Sequence, residues 1–210
     1  MKTDKSKTFS LTVPKLSVIP ASILLYIGTY LSSIIVSSVL GIFMKESLQN
    51  VEGTFEALME YPFIVVIFVL AFMPAVGEEL LFRGLVFGSL NSRYKAIISI
   101  LVSAAIFGAF HMSMIKFLPT GLLGACFAYI VYKGSSIYVT MFLHFINNAF
   151  SFVAMKYPDA VGKVLPFLLK EELSVVEVMI ICAVAVVCLV LGITLLQKPK
   201  KVVDNEVSLC

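Results

Sequence analysis

Long uncharged apolar runs, separated by short polar stretches, divide the chain into six candidate spans. Leu16 to Met44 carries no charge. Signal-peptide cores run to about 7–15 residues, so this longer run predicts a retained first span. Lys45 to Glu60 has a different pattern. Leu48, Val51, Phe55, Leu58 and Met59 recur at helical spacing while Glu52, Glu56 and Glu60 occupy another face, which predicts an amphipathic helix lying in the membrane interface. Tyr61 to Leu90 is the second span and Ala96 to Ile115 the third. Thr120 to Tyr132 is a shorter fourth, whose Gly121 and Gly124 leave a partly re-entrant course open, and Ser135 to Met155 is the fifth. Lys156 to Glu172, with Pro158, Pro166 and several charges, predicts an external loop with room for a short helix before the sixth span, Leu173 to Leu196. Met1 to Lys15 predicts a flexible cytoplasmic arm and Lys198 to Cys210 a polar tail.

Composition agrees with this pattern. Of 210 residues, 60% are hydrophobic and 14% charged, with a mean hydropathy of +1.00. Soluble domains are nearer half apolar and a quarter charged. The expected fold is therefore an all-α membrane protein: one transmembrane domain over residues 1–210, a polytopic bundle of about six helices with the interfacial helix between spans one and two. At about 20 residues per span there is no room for a separate soluble domain. Net charge is +3, but no basic run is interleaved with aromatics, so nucleic acid is not an expected partner. Cys126, Cys182 and Cys188 lie in apolar runs with no CxxC pair and read as small core residues; the terminal Ser-Leu-Cys lacks the spacing of a prenylation box.

Alternating the spans puts Lys2, Lys5, Lys7, Lys15, Arg93, Lys95, Lys133, Lys198, Lys200 and Lys201 on one side, and Lys45, Lys116, Lys156, Lys163 and Lys170 on the other. The bias predicts a multi-pass protein of the cell membrane with both termini cytoplasmic.

Polar residues inside the spans carry the chemistry. Glu78, Glu79 and Arg83 sit well inside the second span, where each ionised group costs at least ~2.5 kcal/mol. The two histidines, His111 and His144, both fall in predicted spans. Counted from Asn91, Lys95 and Lys133, and with a rise of ~1.5 Å per residue, Glu78, His111, His144 and Asn148 share a layer about 16–24 Å along their helices. His144 and Asn148, four apart, share a face that excludes Asn147; Glu79 and Arg83, also four apart, suit an ion pair, while Glu78 projects about 100° from Glu79 and is the free carboxylate. Small residues at spacing four, Gly84 with Gly88 and Ala104 with Gly108, would let spans two and three approach closely.

Two hydrolytic chemistries suit this set, with residues 61–155 as the catalytic core. Glu78 could deprotonate a water shared with His111 as it attacks a carbonyl carbon, with His144 and Asn148 donating to the oxyanion. Alternatively Glu78, His111 and His144 could ligate Zn²⁺. The first needs no cofactor. Two non-enzymatic readings also use buried acids and imidazoles: a transporter or proton relay, and an immunity protein that sequesters a peptide uncleaved. Asn148 weighs against a relay, because it cannot titrate but can donate to an oxyanion.

Three segments, EELLFRG (Glu78 to Gly84), FGAFH (Phe107 to His111) and HFINN (His144 to Asn148), resemble the EExxxR, FxxxH and HxxxN motifs of the CAAX-protease and bacteriocin-processing (CPBP, or Abi) intramembrane endopeptidases. The resemblance runs from about Pro74 to Ser151. It implies Glu78 as general base, His111 holding and polarising the water, and His144 and Asn148 at the oxyanion. It also implies an architectural or substrate-engaging role for Glu79 and Arg83, and Phe107 packed near the site. The implied partners are the lipid bilayer and a membrane-associated, CAAX-like or bacteriocin-like protein or peptide. The family has been described both as metalloproteases and as glutamate proteases, so the metal stays open.

Overall fold

The computed structural model describes residues 10–44, 60–134, 136–168, 170 and 173–196. Its helices are α1 (Val18–Phe43), α2 (Phe63–Asn91), α3 (Ala96–Phe110), α4 (Met114–Gly134), α5 (Ile137–Lys156), the short α6 (Pro158–Val164) and α7 (Val175–Leu195). A 3₁₀ turn, Pro166–Leu168, follows α6. Among the described residues there is no strand. Five of the helices are long and apolar enough to cross a membrane and α3 is a shorter apolar one, so the chain is a polytopic helical bundle. In lipid every backbone N–H and C=O must be satisfied within its own segment, which is why uncharged runs of this length become helices. The expected interfacial helix falls largely on residues 45–59, outside the described residues.

Three expectations change. The third and fourth spans exchange character: α3 stops at Phe110, five residues early, and α4 begins at Met114 and is full-length, with no re-entrant course. Met112, at φ 47°, is the physical break, since a left-handed residue cannot continue a right-handed helix. Pro119 lies inside α4, and its carbonyl accepts from Ser33 Oγ of α1 at 3.3 Å. Second, the described part of the predicted arm is anchored. Ser10 accepts a backbone hydrogen bond from Ile137 at 3.0 Å and Leu11 packs on a cluster of Phe87, Ile100, Ala128, Val131 and Ile137. Third, Ala104 and Gly108 serve the α3–α4 contact rather than α2–α3. A Cβ on Gly108 would lie 2.5 Å from the Phe117 carbonyl oxygen, so only glycine allows that approach.

Half of the apolar window of α4 is buried, against 17–33% in the other long helices, so α4 is the central helix. Its Leu123, Cys126, Phe127 and Ile130 form one core with Leu25 and Tyr26 of α1 and Leu143 of α5. At the periphery α7 lies against α1 at near backbone contact: a Cβ on Gly192 would lie 2.8 Å from the Leu25 nitrogen, and one on Gly28 2.8 Å from the Ala185 oxygen. Ser174 and Glu177 cap α7 reciprocally, and Lys170 reaches Glu177 at 2.5 Å.

Helix α2 is irregular where its polar residues sit. A π-helical stretch, Phe68–Phe72, ends two residues before Pro74, whose ring and missing N–H disrupt a regular ladder. A second, Leu80–Phe87, begins immediately after Glu79 and contains Arg83. Such wide turns recur at functional sites.

Candidate active site

Glu79 and Arg83 lie on one side of α2, and Arg83 Nη1 donates to Glu79 Oε1 at 2.6 Å with both side chains completely buried. The guanidinium is held on three further sides. It stands over the Phe107 ring at 4.3 Å and the Phe127 ring at 5.2 Å, and its Nη2 donates to the Gly124 carbonyl at 3.4 Å. Glu79 Oε1 also receives His144 Nδ1 from α5 at 2.9 Å.

That last bond sets the His144 tautomer. A carboxylate oxygen accepts, so Nδ1 carries the proton and Nε2 is left facing Glu78. Glu78 Oε2 lies 3.8 Å from it, beyond direct hydrogen-bond range. The Glu78 side chain keeps 20% exposure, and Oε2 has no hydrogen-bond partner among the described residues. Two acids and one guanidinium surround the ring, so the cluster is neutral when Glu78 is ionised and His144 doubly protonated, or when both are neutral. Only the imidazolium can donate from Nε2; the neutral ring accepts there.

The expectation that His111 lies within a span is corrected: it caps the C-terminal end of α3, at the break made by Met112. Its Nδ1 donates to the Phe107 carbonyl at 3.0 Å, again leaving Nε2 over. Phe107 stands between the imidazoles, edge-on to His111 at 5.0 Å and to His144 at 5.9 Å, and also packs on Phe82 at 5.0 Å. Neither glutamate pairs with His111 among the described residues. Asn148 is half-buried, one turn beyond His144 on α5.

Both imidazoles present Nε2 with Nδ1 anchored, as metal-bound histidines commonly do. Among the described residues, however, no three His, Cys, Asp or Glu side chains are grouped to hold a metal. The candidate ligand set Glu78, His111 and His144 is therefore not assembled.

Sequence reasoning missed two polar neighbours. Tyr26 of α1 donates to Asn147 Oδ1 at 3.3 Å, and Asn147 Nδ2 donates to Asn148 Oδ1 at 3.3 Å. Helical angle separates Asn147 from His144 but not from its neighbour's amide, and no sequence signal singles out Tyr26.

Residues 60–150, which contain every motif residue, match the family model described as "Type II CAAX prenyl endopeptidase Rce1-like". The chain is also 24% identical over 110 residues to the "Putative membrane peptidase YdiL" of Bacillus subtilis (strain 168), a match covering 52% of this chain and 44% of that protein. It thus spans less than half the length of this relative. No solved structure matches the chain significantly. The segment that carries Glu78, Arg83, His111, His144 and Asn148 is thus similar to the Rce1-like family of type II CAAX prenyl endopeptidases.

Proposed function

We propose that the chain is an intramembrane endopeptidase that hydrolyses a peptide bond of a membrane-associated, CAAX-like or bacteriocin-like substrate with a glutamate-activated water. The observation that carries this reading is the uncommitted Glu78 carboxylate, 3.8 Å from a His144 ring whose far nitrogen is held by the Glu79–Arg83 pair. Ionised Glu78 takes a proton from the water as its oxygen bonds to the substrate carbonyl carbon. The carbonyl electron pair moves to oxygen, where Nε2–H of the His144 imidazolium and Nδ2–H of Asn148 donate to it. On collapse the C–N bond breaks and Glu78 returns the proton to the leaving nitrogen. His111 Nε2 is a second acceptor for the water's hydrogens. Glu79 and Arg83 hold the ring without touching the reacting atoms. No step is routed through a metal, because the donors are not grouped around one point. The ten-to-five distribution of basic residues supports both termini on the cytoplasmic side of the cell membrane.

The test uses purified protein in nanodiscs with two probes: a peptide ending in a farnesylated Cys-aliphatic-aliphatic-X sequence and an unprenylated bacteriocin-like leader peptide. Mass spectrometry should find, for at least one probe, fragments whose masses sum to the substrate plus one water with wild type, and intact substrate with Glu78→Gln. Turnover retained in Glu78→Gln rejects the base, and no cleavage of either probe by wild type rejects the substrate classes.

A further inference from the structure

Helix α1 lies outside the segment matched by the family, yet one of its side chains reaches the candidate site by two routes. The Tyr26 hydroxyl donates to Asn147 Oδ1, and Asn147 Nδ2 donates in turn to Asn148 Oδ1, each at 3.3 Å. The Tyr26 ring stacks on Phe127 at 6.3 Å, and Phe127 packs against His144 at 5.8 Å. Tyr26 is itself buried, in the core shared by α1, α4 and α5.

The order of donors in this chain has a chemical consequence. With the Tyr26 phenol donating to its carbonyl, Asn147 points its NH₂ group away from Tyr26. The NH₂ group fixes Asn148 in turn, occupying its carbonyl oxygen and leaving its own NH₂ as the free end. An unheld asparagine would divide its time between an amide donor and a carbonyl acceptor presented to the substrate. Only the donor stabilises an oxyanion.

We infer that Tyr26 is a positioning residue for the hydrolytic site, acting through Asn147 to keep the Asn148 amide turned with its NH₂ group towards the reacting carbonyl. This rests on the endopeptidase reading for its kinetic consequence but not for its structural one. Asn148 touches the substrate; Tyr26 and Asn147 act only through it. Because the hydroxyl is the active part, Tyr26→Phe keeps the ring on Phe127 and removes the relay alone.

Two measurements test it. With the farnesylated peptide, or the leader peptide if only that is cleaved, Tyr26→Phe should lower kcat about 3- to 10-fold, the worth of one hydrogen bond, with KM little changed. Asn147→Ala should give a similar loss, and Tyr26→Phe in the Asn147→Ala background no further loss, since the relay is already cut. A structural role for the hydroxyl would instead give additive losses. The second measurement needs no turnover: ¹H–¹⁵N spectra of ¹⁵N-asparagine-labelled protein in nanodiscs, with the Asn148 side-chain pair identified by its loss in Asn148→Asp. Tyr26→Phe should shift that pair. Unshifted Asn148 resonances, or Glu78-dependent turnover indifferent to Tyr26→Phe, overturn the inference. Turnover that survives Glu78→Gln, or is absent in wild type, counts against the hydrolytic reading and leaves the spectra to decide the relay.

Discussion

Replacing Arg83 with leucine separates a structural salt bridge from an incidental one. The substitution removes the 2.6 Å bond to Glu79, a charge-assisted contact worth ~1.5–3 kcal/mol, and the cation over Phe107 at 4.3 Å, worth ~0.5–2 kcal/mol. It also leaves the Glu79 carboxylate completely buried, paired among the described residues with the imidazole of His144 alone. The two contacts sum to ~2–5 kcal/mol, and with the buried carboxylate left uncompensated the cost falls in the ~3–5 kcal/mol typical of deleting one member of a buried pair. For a chain of this size 1 kcal/mol moves Tm by ~2–4 °C, so Arg83→Leu should lower Tm by roughly 6–20 °C. The chain has no tryptophan, which makes a thiol-reactive dye the better reporter. Buried Cys126 reacts only on unfolding once Cys182, Cys188 and Cys210 are replaced by alanine. Glu79→Leu combined with Arg83→Leu should cost less than Arg83→Leu alone, since no uncompensated charge remains in the core. A fall of under about 3 °C in the single variant, or a double variant at least as damaged, would refute the view that Arg83 serves chiefly to neutralise Glu79.

Three further outcomes follow from the same geometry. Gly108→Ala puts a methyl 2.5 Å from the Phe117 carbonyl oxygen and should separate α3 from α4 at a cost of ~1–3 kcal/mol, lowering Tm by roughly 2–12 °C in the dye assay. Gly77→Ala meets open space and should leave Tm unchanged or raise it by roughly 2–4 °C through helix propensity. Because Glu78, His111 and His144 are not grouped as ligands, chelator treatment of the purified protein should change neither turnover nor Tm. Loss of activity that Zn²⁺ alone restores would show that the three donors close around an ion.

The span pattern was legible because lipid leaves the backbone few choices: an uncharged run long enough to cross must satisfy its own hydrogen bonds. The α3–α4 junction was not. Phe110, Met112 and Met114 look like any apolar run, and the break depends on the left-handed backbone of Met112. The more conspicuous breaker, Pro119, lies inside a helix. Within the site, spacing along one helix was readable, and Glu79 and Arg83 do lie together. Contacts between helices were not: counting residues from the span ends gives a height for His144 but not the direction it faces. Its bond to Glu79 depends on how α5 is rotated against α2. Tyr26 is further from view, since its partner lies 121 residues along the chain.

The glycine-mediated seam between α1 and α7 bears on the order of biogenesis. The earliest described span to leave the ribosome has its intimate neighbour in the latest, so it must wait in the bilayer while every motif-bearing helix is inserted. A chain halted before Val175 would hold all three motifs yet lack the strut that pins the tyrosine helix in place. Completion of α7, rather than insertion of the conspicuous residues, is the event that closes the seam on α1.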